Sequence, residues 1–350
     1  MPTTDVWTSS NAGPAFPLNT NTRRLPKRAC MEFLTRTDFE SARQKAERFI
    51  HRTPVLKSQT LSDLVGAEVL LKAELLQKAG SYKVRGPLNV LAQMDPAARS
   101  RGLICSSAGN HAQGVARAAR IHGVPAVVVM STRAKKSKID ATRAYGAEVI
   151  LHGDVWDDAN AKSLEIMRER NLTYIHPFDD PVLVAGQGGV GLELIEDVPD
   201  LDMVIVPIGG GGLISGCAMA IKSINPRVKI VGVEAAGSPG MKRSVEAGRV
   251  VVLDKIGPMI DGLVVKRVGE YNLQVCRRYV DDIVLVNEQD IFAAVLWLME
   301  RSKLVAEGAA AATVAALLSG TVRPTAGSKV ACVLSGGNLD LSELKGIAWN

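Results

Sequence analysis

The stretch MVIVPIGGGGLISG, residues 203–216, decides the fold that this sequence predicts. Met203 to Ile208 form an uninterrupted apolar run rich in β-branched residues, which is typical of a strand buried on both faces. The four glycines Gly209 to Gly212 follow at once, and the apolar segment from Leu213 to Ser223 then predicts a helix. A strand, a glycine loop and a helix in this order form the repeating unit of a parallel sheet covered by helices.

The glycine loop also indicates a phosphate site, because successive backbone N–H groups at the positive end of a helix can converge on one anion. It is not a Walker A loop, since no Lys-Ser or Lys-Thr pair follows it. Glu234 ends the next predicted strand at about the spacing of a ribose-binding acid, but the third glycine of G-x-G-x-x-G falls on Ile214 or Ser215. A nicotinamide-dependent oxidoreductase is therefore a rival function, and a glycine tract used only for tight packing is the structural alternative.

Similar units extend on both sides of this stretch. Further strands are predicted at residues 69–71, 103–105, 126–130, 149–151, 228–233, 283–286 and 330–334. Further helices are predicted from Thr37 to about Arg52 and at residues 112–122, 137–145, 158–170, 190–195, 289–302 and 309–318. The alternation predicts an α/β fold with ligands bound at the carboxyl ends of the strands.

Two more loops follow predicted strands and carry polar residues. Ser106 to His111 supply neutral donors next to a helix N-terminus, a combination that suits a carboxylate. Ser335 to Asn338 offer a hydroxyl and two glycines, which would let a flat ligand approach the backbone closely. Each loop alone is equally typical of an ordinary turn.

A lysine in the stretch GSYKVRG, residues 80–86, completes the set. Ser81 is a good helix N-cap and places Lys83 in the first turn, where the helix dipole lowers the pKa of an amine. A neutral amine can add to an aldehyde, whereas a surface lysine at a turn is the simpler interpretation. Combined with a phosphate loop and a carboxylate loop, Lys83 indicates an amino acid condensed with a phosphate-bearing aldehyde, which describes pyridoxal 5'-phosphate chemistry.

Composition limits the classes of function. The chain has 350 residues, enough for two domains, and its 4% aromatic residues argue against a nucleic-acid stacking surface. The net charge of +6 is spread along the chain and suits small anionic molecules. Residues 1–30 are rich in Ser, Thr, Asn and Pro, and we expect a disordered extension there.

Neither a membrane location nor an oxidising compartment is expected. The uncharged run from Val204 to Ile221 contains Pro207 and the glycine loop, which would interrupt a spanning helix. The five cysteines are odd in number and form no C-x-x-C pair, so a disulfide framework and a zinc site are not indicated. We therefore expect a protein of the cytoplasm.

The sequence is similar to a known family over about residues 35 to 342. The motifs that carry the similarity are Lys72-Ala73-Glu74, residues 80–86, Ser107 to Gly114, Ala141-Thr142-Arg143, Gly146-Ala147-Glu148, His176-Pro177-Phe178, Ala185 to Gly188, Gly209 to Gly212 and Ser335 to Asn338. In this order they closely resemble the fold-type II, tryptophan synthase β-like threonine dehydratases and their serine racemase relatives. The resemblance implies a homodimer or homotetramer. It also implies two domains, each with a mostly parallel sheet flanked by helices: a large domain of residues 31–94 plus 180–350 and a small domain of residues 95–179.

The resemblance also assigns roles to individual residues. Lys83 would hold the cofactor covalently and remove the Cα proton of the substrate. Tyr82 would pack beside the cofactor, at a position where the family usually has Phe. The other roles it implies are phosphate binding by Gly209, Gly210, Gly211 and Gly212, a bond to the 3'-oxygen from Asn110, a bond to the pyridine nitrogen from Ser335, and binding of the substrate carboxylate by Ser107, Ala108, Gly109, Asn110 and His111.

Departures from the relatives favour a threonine/serine ammonia-lyase. Ala108 stands where the similar racemases have a serine, and it carries no proton for the second face of the substrate. Glu234 matches one carboxylate of their divalent-metal site, but no second carboxylate follows it, so a tight divalent site is not expected. A weaker cation site of Glu234 and backbone carbonyls, and an acid paired with a nearby Lys or Arg, are the two alternatives. The chain ends a dozen residues after Asn338, so a regulatory module is not expected. Serine racemisation and dehydration of another 3-hydroxyamino acid, such as 3-hydroxyaspartate, are the alternative functions.

Overall fold

The computed structural model describes residues 32–257, 260, 262–341 and 344. The predicted extension, residues 1–30, lies outside this part. The strands are β1 Val55–Lys57, β2 Glu68–Ala73, β3 Leu103–Ser106, β4 Ala126–Met130, β5 Glu148–Leu151, β6 Thr173–Tyr174, β7 Met203–Pro207, β8 Lys229–Ala235, β9 Asp282–Val286 and β10 Lys329–Leu334. The α-helices are α1 Arg36–Ala46, α2 Gln59–Val65, α3 Arg85–Gln93, α4 Pro96–Arg101, α5 Asn110–His122, α6 Lys136–Ala144, α7 Trp156–Glu169, α8 Pro181–Asp197, α9 Gly212–Lys222, α10 Gly240–Ala247, α11 Glu270–Tyr279, α12 Glu288–Trp297 and α13 Gly308–Leu318.

The strands form two mostly parallel sheets, as the resemblance implies. The six-stranded sheet has the order β1-β2-β10-β7-β8-β9, and only β1 is antiparallel to its neighbour. The four-stranded sheet has the order β5-β4-β3-β6 and is parallel throughout. Because β10 lies next to β7, the loop that begins at Ser335 and the glycine loop leave the same edge of one sheet.

The two sheets use different parts of the chain. The four-stranded sheet is built from residues 103–174, and the six-stranded sheet from residues 55–73 and 203–334. These ranges are compatible with the expected domain division at residues 95 and 179, which stays a prediction.

All eight strands expected from the sequence are present, and no end differs by more than two residues. The two short strands β1 and β6 were not expected, because three or two residues are too few to show an alternating pattern. The helix expected at residues 190–195 is much longer, from Pro181 to Asp197. Its glycines hide the helical pattern but are needed for packing: a Cβ at Gly191 would lie 2.8 Å from the Cα of Cys217 on α9.

The core is apolar, and the four described cysteines within it form no disulfide. Two large clusters of buried, mostly aliphatic side chains cover the opposite faces of the six-stranded sheet, and a third and a smaller fourth cover the two faces of the four-stranded sheet. The four described cysteines, Cys105, Cys217, Cys276 and Cys332, are free thiols inside these layers. Within the described segments, no helix combines the length and apolar character that crossing a membrane requires.

Candidate active site

Lys83 lies in a short 3₁₀ turn, Tyr82–Val84, that leads directly into α3. Its Nζ donates a hydrogen bond of 2.8 Å to the carbonyl oxygen of Pro177. Helix α5 packs on its backbone so closely that a Cβ at Gly114 would lie 2.5 Å from the Lys83 carbonyl oxygen. This close approach explains why a glycine closes the Ser107–Gly114 motif.

The amine of Lys83 has a lowered pKa, as the sequence predicts, but for a different reason. Burial lowers the pKa of Lys83 to about 8, while the negative charge of Glu307 partly opposes the shift. The predicted helix cap is absent: Ser81 has an extended backbone at the N-cap position, but its hydroxyl accepts no helix N–H. Desolvation, rather than the helix dipole, therefore makes a neutral amine accessible near neutral pH.

Backbone pairing holds the Ser335 loop against the segment that carries Lys83. Ser81 and Gly336 form an antiparallel bridge, and the N–H of Tyr82 donates to the Ser335 carbonyl oxygen at 3.1 Å. The N–H of Gly337 donates back to the Gly80 carbonyl oxygen at 2.8 Å. Ser335, itself buried, is therefore held opposite Tyr82, the residue that precedes Lys83 in the chain.

The glycine loop has unused backbone donors. The N–H groups of Gly209, Gly210, Gly211 and Gly212 donate to no carbonyl and no side chain of the described residues. Gln187 of α8 lies beside them: a Cβ at Gly212 would be 2.6 Å from its Oε1. Both polar atoms of the Gln187 side chain are buried and have no partner in the described structure. Four free N–H groups at the start of α9, with a buried carboxamide, fit a phosphate group.

The Ser106–His111 loop is arranged in the same way. The N–H of Ser107 donates to the Val129 carbonyl oxygen, and the Oγ of Ser107 accepts a hydrogen bond from the N–H of Gly109. The N–H groups of Ala108, Asn110 and His111 have no acceptor among the residues described. Three free donors at the first turn of α5 fit a carboxylate.

The side chain of His111 does not supply a charge to this loop. Its Nε2 lies 3.0 Å from the Ile175 carbonyl oxygen, which can only accept, so Nε2 carries the proton. Burial lowers the pKa of His111 to about 3, and the imidazole is neutral. Its Nδ1 is therefore an acceptor, so a carboxylate in this loop would be held by backbone N–H groups. The expected role of His111 in carboxylate binding stays a prediction.

Asn110 belongs to a hydrogen-bonded chain that the sequence did not reveal. Its Nδ2 donates to Glu307 Oε1 at 2.6 Å, and its Oδ1 accepts from Asn338 Nδ2 at 2.7 Å. Asn338 Nδ2 also donates to the Ala79 carbonyl oxygen at 2.9 Å. Glu307 directly precedes α13, but its side chain does not cap that helix. Glu307 instead fixes the orientation of the Asn110 carboxamide.

A second buried polar cluster consists of Lys72, Glu74, Arg85 and Glu193. Arg85 donates to both oxygens of Glu74, at 2.9 and 2.8 Å, and to both oxygens of Glu193, at 2.7 and 2.9 Å. Lys72 Nζ donates a hydrogen bond of 2.7 Å to Glu193 Oε2 and one of 2.8 Å to the Thr53 carbonyl oxygen. We call this group the ionic cluster; it ties β2, α3 and α8 together.

Glu234 lies at the end of β8, away from any group of metal ligands. Its two oxygens accept the N–H groups of Met241 and Lys242, at 2.7 and 2.9 Å, at the start of α10. Burial raises the pKa of Glu234 to about 7. No cluster of three His, Cys, Asp or Glu residues that could hold a metal occurs in the described ranges. A cation at Glu234 stays a prediction.

Comparison with known proteins finds similar proteins over most of the chain. The family described as pyridoxal-phosphate dependent enzyme matches residues 46–336. The L-threonine ammonia-lyase of Thermotoga maritima is 46% identical over 309 residues, which are 88% of this chain and 77% of that protein. The catabolic L-threonine dehydratase of Escherichia coli K12 is 43% identical over 311 residues, 89% of this chain and 94% of that protein.

A solved structure gives the same fold. The structure of maize serine racemase superposes with a TM-score of 0.86 at 34% identity, and covers 90% of this chain and 96% of that one. The expected fold-type II architecture is thereby confirmed, and pyridoxal phosphate is the cofactor that the free donors of the glycine loop fit. The chain belongs to the family of pyridoxal-phosphate dependent enzymes.

Proposed function

We propose that this enzyme is a threonine/serine ammonia-lyase, which converts L-threonine or L-serine to a 2-oxo acid and ammonia. The observation that carries the proposal is the half-buried Lys83 amine, whose pKa is lowered to about 8, in a segment paired with Ser335. The ammonia-lyase and dehydratase relatives, at 46% and 43% identity, support the same reaction class. This function replaces the nicotinamide-dependent alternative.

The protein residues bind the reactants and move one proton. When bound, pyridoxal phosphate withdraws electrons from the amino acid and acidifies its Cα proton. The neutral Nζ of Lys83 takes that proton, and the N–H groups of Gly209 to Gly212 hold the cofactor phosphate. The N–H groups of Ala108, Asn110 and His111 hold the substrate carboxylate, which orients the Cα–H bond toward Lys83.

Ser335 and Ala108 favour elimination over other outcomes. A neutral hydroxyl at Ser335 cannot stabilise a charged pyridinium as a carboxylate would, so rapid loss of the β-hydroxyl is favoured; it would leave as water, with the proton that Lys83 took from Cα balancing the step. Ala108 has no proton to give to the face opposite Lys83. Serine racemisation, the activity named for the maize protein, is therefore the second candidate.

The first test uses purified protein and L-threonine. We expect a yellow protein that releases 2-oxobutanoate, and a Lys83→Ala variant that loses both the colour and the reaction. Lys78→Ala removes a lysine from the same segment, five residues away, and is the matched control that should keep both. An active Lys83→Ala variant, or a colourless wild-type protein in excess cofactor, would contradict the proposal.

A second assay separates the candidate reactions and substrates. We expect pyruvate from L-serine to exceed D-serine in the wild type, and Ala108→Ser to raise the share of D-serine. A panel that includes 3-hydroxyaspartate then defines the substrate class. D-serine as the main wild-type product would favour the racemase, and turnover of 3-hydroxyaspartate alone would redefine the substrate.

We further propose a homodimer or homotetramer in the cytoplasm, with the two domains given by residues 31–94 plus 180–350 and 95–179. The resemblance to the dehydratases supports the assembly, and the four free, buried thiols fit a reducing compartment. Sedimentation velocity tests the assembly directly, and a monomer at micromolar concentration would contradict it.

A further inference from the structure

Asn272 is a buried residue of α11 that no motif singles out, and its carboxamide joins two parts of the site. Its Nδ2 donates to the carbonyl oxygens of Gly210, at 3.0 Å, and of Phe178, at 2.9 Å. The side chain is fully buried, and its Oδ1 has no partner among the described residues. An unpaired buried acceptor costs free energy, so the two hydrogen bonds that Nδ2 donates are what stabilise the carboxamide in this position.

The bond to Gly210 sets the direction of a peptide group in the glycine loop. The N–H of Gly269, just before α11, donates to the same Gly210 oxygen at 3.1 Å. In a trans peptide the C=O of Gly210 and the N–H of Gly211 point in opposite directions. Two donors that hold the Gly210 oxygen toward α11 therefore direct the Gly211 N–H away from α11, as a donor for the phosphate.

At Gly211 the loop backbone lies so close to α10 and α11 that no side chain would fit. Gly211 has φ +96°, a conformation that L side chains rarely adopt, and a Cβ there would lie 2.8 Å from the Cβ of Asn272. It would also lie 2.5 Å from Cε of Met241. The loop backbone is thus seated directly on α10 and α11, and Asn272 supplies the polar part of that contact.

The bond to Phe178 extends the effect to Lys83. Phe178 follows Pro177, whose carbonyl oxygen accepts the hydrogen bond from Lys83 Nζ at 2.8 Å. One side chain therefore fixes both the loop that offers N–H groups to a phosphate and the segment whose carbonyl holds the free lysine.

We propose that Asn272 is a positioning residue that orients the phosphate-binding N–H groups of the glycine loop without touching the cofactor. The inference rests on the cofactor site of the proposed function. It predicts an effect that is specific for the phosphate of the ligand, which a merely structural role for Asn272 would not produce.

The test compares two ligands that differ only in the phosphate: pyridoxal phosphate and pyridoxal. Titrations of the cofactor-free protein, followed by absorbance, give both dissociation constants for the wild type and for Asn272→Asp and Asn272→Ala. Losing the orienting donors should weaken pyridoxal phosphate binding by about tenfold or more and pyridoxal binding by less than about threefold. Inorganic phosphate should also compete less well in the variants.

Asn89→Asp is the matched control. Asn89 is equally buried in α3, and its Nδ2 donates to the Val182 carbonyl oxygen at 2.7 Å, away from the glycine loop. We expect it to lower the melting temperature without changing the ratio of the two dissociation constants. Asn272→Ala decides the question if the aspartate variant does not fold.

Two results would overturn the inference: unchanged pyridoxal phosphate affinity in the Asn272 variants, or equal losses for the two ligands. Because the measurement is of binding, a wild-type protein that binds pyridoxal phosphate but leaves L-threonine unchanged would contradict the proposed reaction and not this inference.

Discussion

The ionic cluster and the cofactor site are both buried and polar, but they differ in how their polar atoms are satisfied. Each carboxylate oxygen of Glu74 and Glu193 accepts at least one hydrogen bond from Arg85, Lys72 or Thr53. In the cofactor site, by contrast, Gln187 and the glycine loop keep donors without acceptors in the described structure.

This difference separates a structural role from a binding role. Folded proteins satisfy nearly all their buried polar groups, because each unpaired group costs about 1–3 kcal/mol. A cluster whose polar atoms are all hydrogen-bonded within the protein needs no ligand, and it therefore contributes to the stability of the protein without one. The unpaired donors of Gln187 and of the glycine loop lower the stability of the protein without ligand. They become favourable only when a ligand supplies acceptors.

Breaking the ionic cluster should have the largest effect on stability. Arg85→Met leaves two carboxylates buried without their shared cation, and we expect a loss of about 3–5 kcal/mol in the free energy of unfolding. Urea unfolding of the cofactor-free protein measures it. Arg52→Met is the control, because Arg52 pairs with Glu196 and Asp197 at the surface and should contribute less than about 1 kcal/mol. Equal losses for the two variants would show that the cluster has no special structural role.

Replacing Gln187, whose polar atoms are unpaired, should raise the free energy of unfolding, and by less than Arg85→Met lowers it. Gln187→Leu removes two unpaired polar atoms, so the cofactor-free protein should become more stable by up to about 1 kcal/mol while its pyridoxal phosphate affinity falls. Gln77→Leu is the matched control: this glutamine is also buried, but its side chain bonds both the N–H and the carbonyl of His51, at 2.8 Å each. We expect Gln77→Leu to lower stability by about 1–3 kcal/mol. A destabilised Gln187→Leu variant would contradict the distinction.

The smallest expected effect is on the titration of Lys83. In the cofactor-free protein, the rate at which pyridoxal phosphate attaches should rise with pH around a midpoint of about 8, since only the neutral amine reacts. Glu307→Gln removes a negative charge that favours the ammonium form, so its midpoint should lie lower than in the wild type. Glu300→Gln, at an exposed position, should leave the midpoint unchanged. A midpoint near the ordinary lysine pKa, or an upward shift in Glu307→Gln, would refute the assignment.

The sequence predicted the parts of this molecule that depend on local pattern. The strand before Gly209 and the loops at Ser107 and Ser335 follow from apolar runs and glycine positions, which neighbouring residues determine. The ionic cluster could not be predicted, because Lys72 stands within an apolar strand and Glu193 within a helix rich in glycine, and their pairing joins residues 121 positions apart.

Glu307 and Asn272 show the same limit at the site itself. In the sequence Glu307 has the position of a helix cap, and Asn272 is one polar residue in the first turn of a helix. Their roles depend on contacts with Asn110 and Gly210, which only the folded chain brings within reach.

Hydrogen–deuterium exchange with and without pyridoxal phosphate tests the central claim most directly. If the unpaired N–H groups of the glycine loop bind the cofactor, peptides that contain Gly209 to Gly212 should show the largest gain in protection with pyridoxal phosphate. The gain should be smaller with pyridoxal, which has no phosphate. Peptides of the ionic cluster, at Lys72 to Glu74 and at Glu193, should change little. Protection spread evenly over the chain, or concentrated at the ionic cluster, would contradict the account.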